Sequence, residues 1–364
     1  MKKYNVIDLF SGVGGLSYGF AKMPEFQIVA ANEIEKDISI AYQLNHPDVK
    51  MLNCDIADIS EEALTEALQG QKIDLVIGGP PCQSYSTLGK RQLDDRANLF
   101  KQYKRVLSII QPRAFVFENV VGILSMDKGR LFPQIKSEFE ELGYTLKYQV
   151  LDAVNYGVPQ HRERVILVGF KGDNPFEFPE ETHGTDGILK PLVTLKDALG
   201  DLPVLKSGQA SDRSDLSVDN EFLRFVRRGA EGVITEHAAP KNGEHLLRIM
   251  EALQEGQSKD DLPEEIRPKS GYGNTYAKLW WDRPSTTVTR NFACPSSSRC
   301  IHPRDSRAMS IREGARLQSF PDDYIFYGSD GMKRLEIGNA VPPLLSVAIA
   351  KQMLKALIAG GTQI

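Results

Sequence analysis

An alternation constrains this chain more than any other feature. Over its first 170 residues, short β-rich runs ("YNVIDLF", "FQIVAAN", "IDLVIGG", "RAFVFENV", "TLKYQVLDA", "RVILVGF") are separated by segments of helical period near Gly15 to Lys22, Asp37 to Asn45, Glu61 to Leu68, Leu99 to Ile110 and Phe132 to Leu142. Strands without a polar face need cover on both sides, and amphipathic helices between them supply it. The pattern predicts an α/β, doubly wound, mainly parallel sheet. From about Gly172 the texture turns to "GDNPFEFPEETHGTDG", and periodicity then weakens. With 364 residues, more than one core usually holds, the reading is one large domain over 1–180 and a smaller irregular one over 181–335. The tail, 336–364, contains the helical run "LLSVAIAKQMLKALI" and is assigned back to the large domain.

In doubly wound sheets, ligands bind outside the carboxyl ends of the strands. The unusual residues of this chain fall there: Phe10 to Gly15, Asn32 and Glu33, Cys54 and Asp55, Gly78 to Cys82, and Glu118 with Asn119. Gly12, Gly14 and Gly15 lie between a strand and a helix, where they let backbone approach a nucleotide-like ligand, although Ser17 stands in the third glycine's place. Glu33, 21 positions after Gly12, suits a ribose diol. These features imply nucleoside binding without naming the cofactor. A nicotinamide oxidoreductase would share them but leaves "PPC" and "ENV" unexplained. In "GGPPCQSYS" the prolines restrict the backbone so that Cys82 is presented rather than buried.

The net charge of −4 gives no global footprint for nucleic acid. Its distribution says more: from Glu265 to Arg312, nine Lys or Arg face three acids, interleaved with Tyr272, Tyr276, Trp280, Trp281 and Phe292, a composition that can track a phosphate backbone. The four cysteines, at 54, 82, 294 and 300, form neither a disulfide framework nor paired zinc spacing, and Cys294, Cys300 and His302 lack a fourth ligand, so no metal is expected. No apolar run of about 18 residues and no signal-peptide pattern appear, so the expectation is a cytoplasmic protein without a membrane partner.

Taken together, "DLFSGVGGLS" (8–17), "GGPPCQSYS" (78–86), "ENV" (118–120), "QHRER" (160–164), "REGARLQSFPD" (312–322) and "GNAVPP" (338–343) closely resemble, in order, the motifs of the DNA (cytosine-5) methyltransferases. The resemblance spans nearly the whole chain except about 181–300. It implies a Rossmann-like catalytic domain, a target-recognition domain, S-adenosylmethionine as methyl donor with S-adenosylhomocysteine as product, and double-stranded DNA as substrate. The family's usual setting is bacterial restriction-modification, in which a cognate endonuclease acts separately. A monomer is expected.

Carbon 5 of cytosine is not nucleophilic until a nucleophile adds at carbon 6. The resemblance assigns that attack to the Cys82 thiolate. Density pushed onto nitrogen 3 then calls for Glu118, whose pKa burial would have to raise for it to act as an acid near neutral pH. Arg162 and Arg164, two apart, would share one face of a strand and hold the base's carbonyl oxygen. The base that removes the carbon 5 proton is not assigned. For the cofactor, the resemblance implies Phe10, Glu33, Ile34, Asp55 and Ile56 around adenine and ribose and Gly12, Val13 and Gly14 near the methionine part, with Pro81, Leu99, Asn339 and Val341 completing the site. Phe10, Ile34 and Ile56 can also be read as plain core residues.

The target atoms are stacked inside a duplex, so the cytosine must be flipped out. The stretch after Cys82 is expected to close over substrate, with Lys90 and Arg91 on phosphates, and "RPSTTVTRNF" (283–292) resembles the end of the recognition region. Two rivals remain at this point. One is a transfer-RNA cytosine methyltransferase, whose branch usually carries a Cys-Phe-Thr insert absent here. The other is an inactive nucleic-acid-binding relative, which would typically have lost the cysteine or the glycines.

Overall fold

The computed structural model describes residues 3–81, 99–269 and 273–360. The chain divides into two compact units: Met1–Asp152, Glu163–Glu180 and Leu345–Ile364 form the first, Ala153–Arg162 and Glu181–Leu344 the second.

The first unit is built on a seven-stranded sheet of β1 (Tyr4–Leu9), β2 (Phe26–Asn32), β3 (Lys50–Leu52), β4 (Leu75–Gly78), β5 (Ala114–Val120), β6 (Tyr144–Asp152) and β7 (Glu163–Lys171). Its order is β3-β2-β1-β4-β5-β7-β6. The first five strands run parallel, and β7 pairs antiparallel with both β5 and β6. The order reverses direction between β1 and β4, which opens a crevice at their carboxyl ends. All four residues of β4 are buried, as both-face coverage requires.

The covering helices follow the sequence pattern. α1 (Gly15–Ala21) is buried from Gly15 through Phe20, whereas in α2 (Lys36–Asn45), α3 (Glu61–Leu68) and α4 (Leu99–Ile110) the buried positions recur at helical spacing; α4 buries Phe100, Tyr103, Val106 and Leu107. Ser60 caps α3 by accepting from the Ala63 amide, which satisfies one orphan donor of the first turn. Tyr103 brings a hydroxyl into the core and donates it to the Val116 carbonyl at 2.9 Å, while its ring packs edge-on against Phe115 and Phe117.

The helix Pro343–Ala359 buries Leu345, Ile349, Ala350, Met353 and Leu357, so its apolar run is core packing. It is pressed onto α1 at Gly19, where the amide donates to Ser346 Oγ at 2.9 Å and a Cβ would lie 2.4 Å from the Ser346 carbonyl carbon. Gly19→Ala is therefore expected to cost about 1–3 kcal/mol through overpacking, read as a lower urea midpoint with an unchanged slope.

The second unit holds short helices and two two-stranded sheets, Ala277–Lys278 with Arg299–Ile301 and His183–Gly184 with Lys190–Pro191. A small apolar cluster of Ile249, Met250, Leu253, Leu262 and Ile301 is supplemented by buried ion pairs. Arg316, fully buried, bonds Asp322 at 2.7 and 2.9 Å and also Asp201, which in turn holds Arg227 at 2.7 Å. Arg307 bridges Glu313 and Asp305. Burial works against the Glu313 carboxylate, yet the bonds and charge of Arg307 hold it well below the usual carboxylate range. The helix Asp330–Asn339, where the stretch assigned from sequence to the large domain begins, packs against the helix Ile311–Leu317 in this unit.

Candidate active site

At the carboxyl end of β1 the chain turns through Phe10, Gly12 and Gly14, all with positive φ (56°, 55° and 96°), a conformation glycine adopts without steric cost. Glu33, buried at the end of β2, accepts from the Gly12 amide through Oε2 and from the Glu35 amide through Oε1, both at 2.9 Å. Burial pushes its carboxyl upward from the ordinary value, against those two hydrogen bonds. A carboxylate wedged under a glycine turn fits a ligand diol, and next to it Ile34 is 58% exposed, a surface on which a flat ring can lie. Ile34 is thus not a core residue, whereas Ile56 is 2% exposed and belongs to the core, against which Phe10 partly packs. Val13 is buried within the turn. Asp55 is half-buried, with Oδ1 accepting from the Ala57 amide at 2.9 Å. Leu99, in α4, packs partly on the same core.

The second group lies at the ends of β4 and β5. Glu118 Oε1 meets Arg164 Nε at 2.7 Å, both nearly buried. The register places Glu118 opposite Ile166, two residues beyond Arg164 on the antiparallel neighbour, so the arginine reaches diagonally to the carboxylate. A Cβ at Gly79 would sit 2.5 Å from Glu118 Oε2, so any larger residue there would have to push the carboxylate aside. Asn119 Nδ2 donates to the Pro80 carbonyl at 2.9 Å. Sequence reading missed this anchor, although its signal stood in "ENV". Pro81 is exposed. Cys82 lies outside the described residues, as do Lys90, Arg91 and Tyr272.

Arg162 does not join Arg164 on a strand face. β7 begins at Glu163, and Arg162 belongs to the second unit, where its guanidinium donates to the carbonyls of Val288 at 2.9 Å and Gly338 at 2.8 Å. Gln160 beside it donates to Leu317 O and accepts from the Val288 amide. The first half of "QHRER" thus ties the end of "RPSTTVTRNF" into the second unit, and the second half faces Glu118 in the first. Asn339 ends the helix Asp330–Asn339 and Val341 is buried just after it, both within the second unit.

The basic window also divides. Arg307 and Arg312 are buried, Arg312 donating to Thr235 O and Pro321 O, and Arg299 is half-buried on the carbonyls of Gly256 and Lys278. Arg267, Lys269, Arg283, Arg290 and Arg304 remain exposed. Arg283 lies over the Trp280 ring at 5.6 Å and Arg304 over Trp281 at 5.0 Å, contacts that orient a guanidinium while leaving it in water. His302 is committed to structure, its Nδ1 accepting from the Arg304 and Asp305 amides.

Known proteins resemble this chain along nearly its whole length. The family model for C-5 cytosine-specific DNA methylases matches residues 4–355. Type II methyltransferase M1.HphI of Haemophilus parahaemolyticus is 36% identical over 353 residues, 96% of this chain and 86% of that protein. Type II methyltransferase M.DdeI of Desulfomicrobium norvegicum is 36% identical over 375 residues, 96% and 88% of the two. The crystal structure of a protein described as a prophage-encoded DNA modification methyltransferase (E. coli) superposes with a TM-score of 0.79 at 26% identity, covering 98% of this chain and all of the other. The Spodoptera frugiperda DNMT2 structure, at 16% identity and a TM-score of 0.61 over 98% of this chain and all of its own, shares the fold. A family model that runs from the first strand into the last helix settles what the strand-end motifs had implied: this chain belongs to the C-5 cytosine-specific DNA methylase family.

Proposed function

We propose that this protein is a DNA (cytosine-5)-methyltransferase of the restriction-modification kind, which modifies a flipped-out cytosine in a specific duplex sequence through a Cys82 adduct. The observation that carries the residue roles is the Glu118–Arg164 pair at 2.7 Å beside the "GGPP" backbone that leads into Cys82. Cys82 attacks carbon 6 of the base. Glu118 bonds the nitrogen 3 edge as electron density arrives there, and Arg164 holds the carboxylate in place and faces the same ring. Asn119, by gripping the Pro80 carbonyl, fixes where the nucleophile's segment starts. The duplex stacking given up on flipping costs a few kcal/mol, which phosphate contacts from exposed residues such as Arg283 and Arg304 offset. Arg162, with its guanidinium on two backbone carbonyls, holds the recognition segment rather than the base.

S-adenosylmethionine, when bound, supplies an electrophilic methyl group for carbon 5. The residues present fit it. Glu33 takes the ribose hydroxyls, Ile34, Phe10 and Ile56 border the adenine, Asp55 accepts from its amino group, and the Gly12–Gly14 backbone carries the methionine part. Pro81 and Leu99 are assigned the rest of its boundary in this unit. Glu33→Ala is expected to weaken cofactor binding by roughly 10- to 100-fold, the value of one charge-assisted hydrogen bond, in a calorimetric titration.

The first unit carries the chemistry and the second reads sequence. The protein acts as a monomer in the bacterial cytosol, with any cognate endonuclease a separate chain. Nucleoside mass spectrometry of duplex DNA and of transfer RNA, each incubated with protein and S-adenosylmethionine, tests the reading. 5-Methylcytosine in the DNA alone is the expected result. Methylated transfer RNA alone would move the substrate to RNA, and methylation of neither despite cofactor binding would favour an inactive relative.

A further inference from the structure

Asp55, assigned above to the adenine amino group, stands in a loop with little support from the sheet. The loop follows β3, a strand of three residues at the sheet's edge that pairs with β2 alone. Three side chains to which the sequence reading gave no role supply the other anchors. Asn32, buried at the end of β2, donates through Nδ2 to the Leu52 and Cys54 carbonyls, both at 2.9 Å. Asn53 Nδ2 reaches back to the Glu33 carbonyl at 2.8 Å and the Ile34 carbonyl at 3.1 Å. These bonds tie the strand end that carries Glu33 to the one that leads to Asp55. The far half of the loop is held from α4. Arg105 Nη1 donates to the Ile59 carbonyl at 2.8 Å and Nη2 to the Ile56 carbonyl at 2.6 Å, while Nε donates to Gln102 Oε1 at 2.7 Å. Ile56 and Ile59 bracket the short turn Ile56–Asp58, which Asp55 caps by accepting from the Ala57 amide through Oδ1 at 2.9 Å.

We propose that Arg105 is a positioning residue for recognition of the cofactor's adenine. The inference rests on the cofactor reading above. A guanidinium is a rigid planar fork, so its grip on two carbonyls sets their separation, which a lysine ammonium, a single point of charge, does not do. With both ends of the turn fixed, the Asp55 carboxylate has one direction rather than several. Oδ1 is taken by the turn itself, and Oδ2 then meets the amino group. An ionised carboxylate accepts and does not donate, so a base that shows a carbonyl at that place meets repulsion instead of a hydrogen bond. Selection of adenine therefore depends on how firmly Asp55 is aimed, and Arg105 sets that aim through backbone carbonyls alone.

The test compares S-adenosylhomocysteine with S-inosylhomocysteine, in which a carbonyl replaces the adenine amino group, by isothermal titration of the wild type, Arg105→Ala and Arg105→Lys. The wild type is expected to prefer the adenine compound by on the order of tenfold or more. In Arg105→Ala the preference is expected to fall to about twofold, and in Arg105→Lys, which keeps one donor near the carbonyls, to an intermediate value. Methyl transfer by Arg105→Ala at saturating S-adenosylmethionine should stay near the wild-type rate, with the loss confined to KM. A structural role alone would lower the melting temperature and weaken both compounds alike. A wild-type preference retained in both variants would therefore overturn the proposal alone, whatever happens to stability. If Arg105→Ala does not fold, Arg105→Lys carries the comparison by itself. A wild type that binds both compounds equally would overturn the assignment of Asp55 to the amino group and the proposal with it, and one that binds neither would overturn the cofactor reading and with it the proposal.

Discussion

Replacing Cys82 by alanine is expected to lower methyl transfer to duplex DNA by on the order of 10³-fold or more, with the cofactor titration unchanged. Without a thiolate at carbon 6, carbon 5 stays part of an aromatic ring that does not attack a methyl group, so no other residue can compensate by positioning alone. None of the groups assigned to the cofactor is the thiol, which is why binding is expected to survive. Mass spectrometry of the DNA product, beside a cofactor titration of the same preparation, checks both halves. Activity retained in Cys82→Ala would sink the covalent mechanism. Glu118→Gln and Arg164→Lys, which touch the pair rather than the nucleophile, are the informative companions: each should reduce turnover while leaving Cys82 available.

Arg316→Met is expected to cost about 3–5 kcal/mol of folding free energy, the usual consequence of removing one partner from a buried ion cluster. Asp201 would keep Arg227, but Asp322 would lose its ion pair inside the protein, left with only the more distant charge of Arg312. The melting temperature should fall by on the order of 10 °C, measured on the full chain by calorimetry. A shift below about 2 °C would mean that water or another side chain takes over the Asp322 carboxylate. Met fills the space of the stem, so the loss reports charge rather than a cavity.

The first unit was largely legible because its sheet obeys a simple rule. Strands buried on both faces have few places for polar residues except near their ends, so Glu33, Asp55 and Glu118 stood out, and the predicted helix over 61–68 matches the observed one to the residue while the helix predicted over 99–110 ends where expected. The second unit was not legible in the same way. Its segments are held by side chains far apart in sequence, such as Asp201 with Arg316 and Gln160 with Val288, and such pairings leave no periodic trace. Charge counting failed for the same reason, since it cannot tell Arg312, spent on backbone carbonyls, from the exposed Arg304. The spacing of two in "QHRER" suggested a shared strand face for Arg162 and Arg164, but spacing does not say where a strand begins, and this one begins between them.

The first unit takes one of its helices from beyond the second unit in sequence. Leu345, Ile349 and Met353 close its core against α1, yet they are made only after residues 181–344. At ribosomal speeds of 5–20 residues per second, that interval lasts roughly 10–30 s, during which the sheet is complete in sequence but lacks one of its covers. The second unit has all its residues before the first does. A nascent chain therefore cannot bury the Gly19 face of α1 until the residues from Leu345 onward are made, and a message cut short anywhere before Leu345 yields a protein with that apolar face bare.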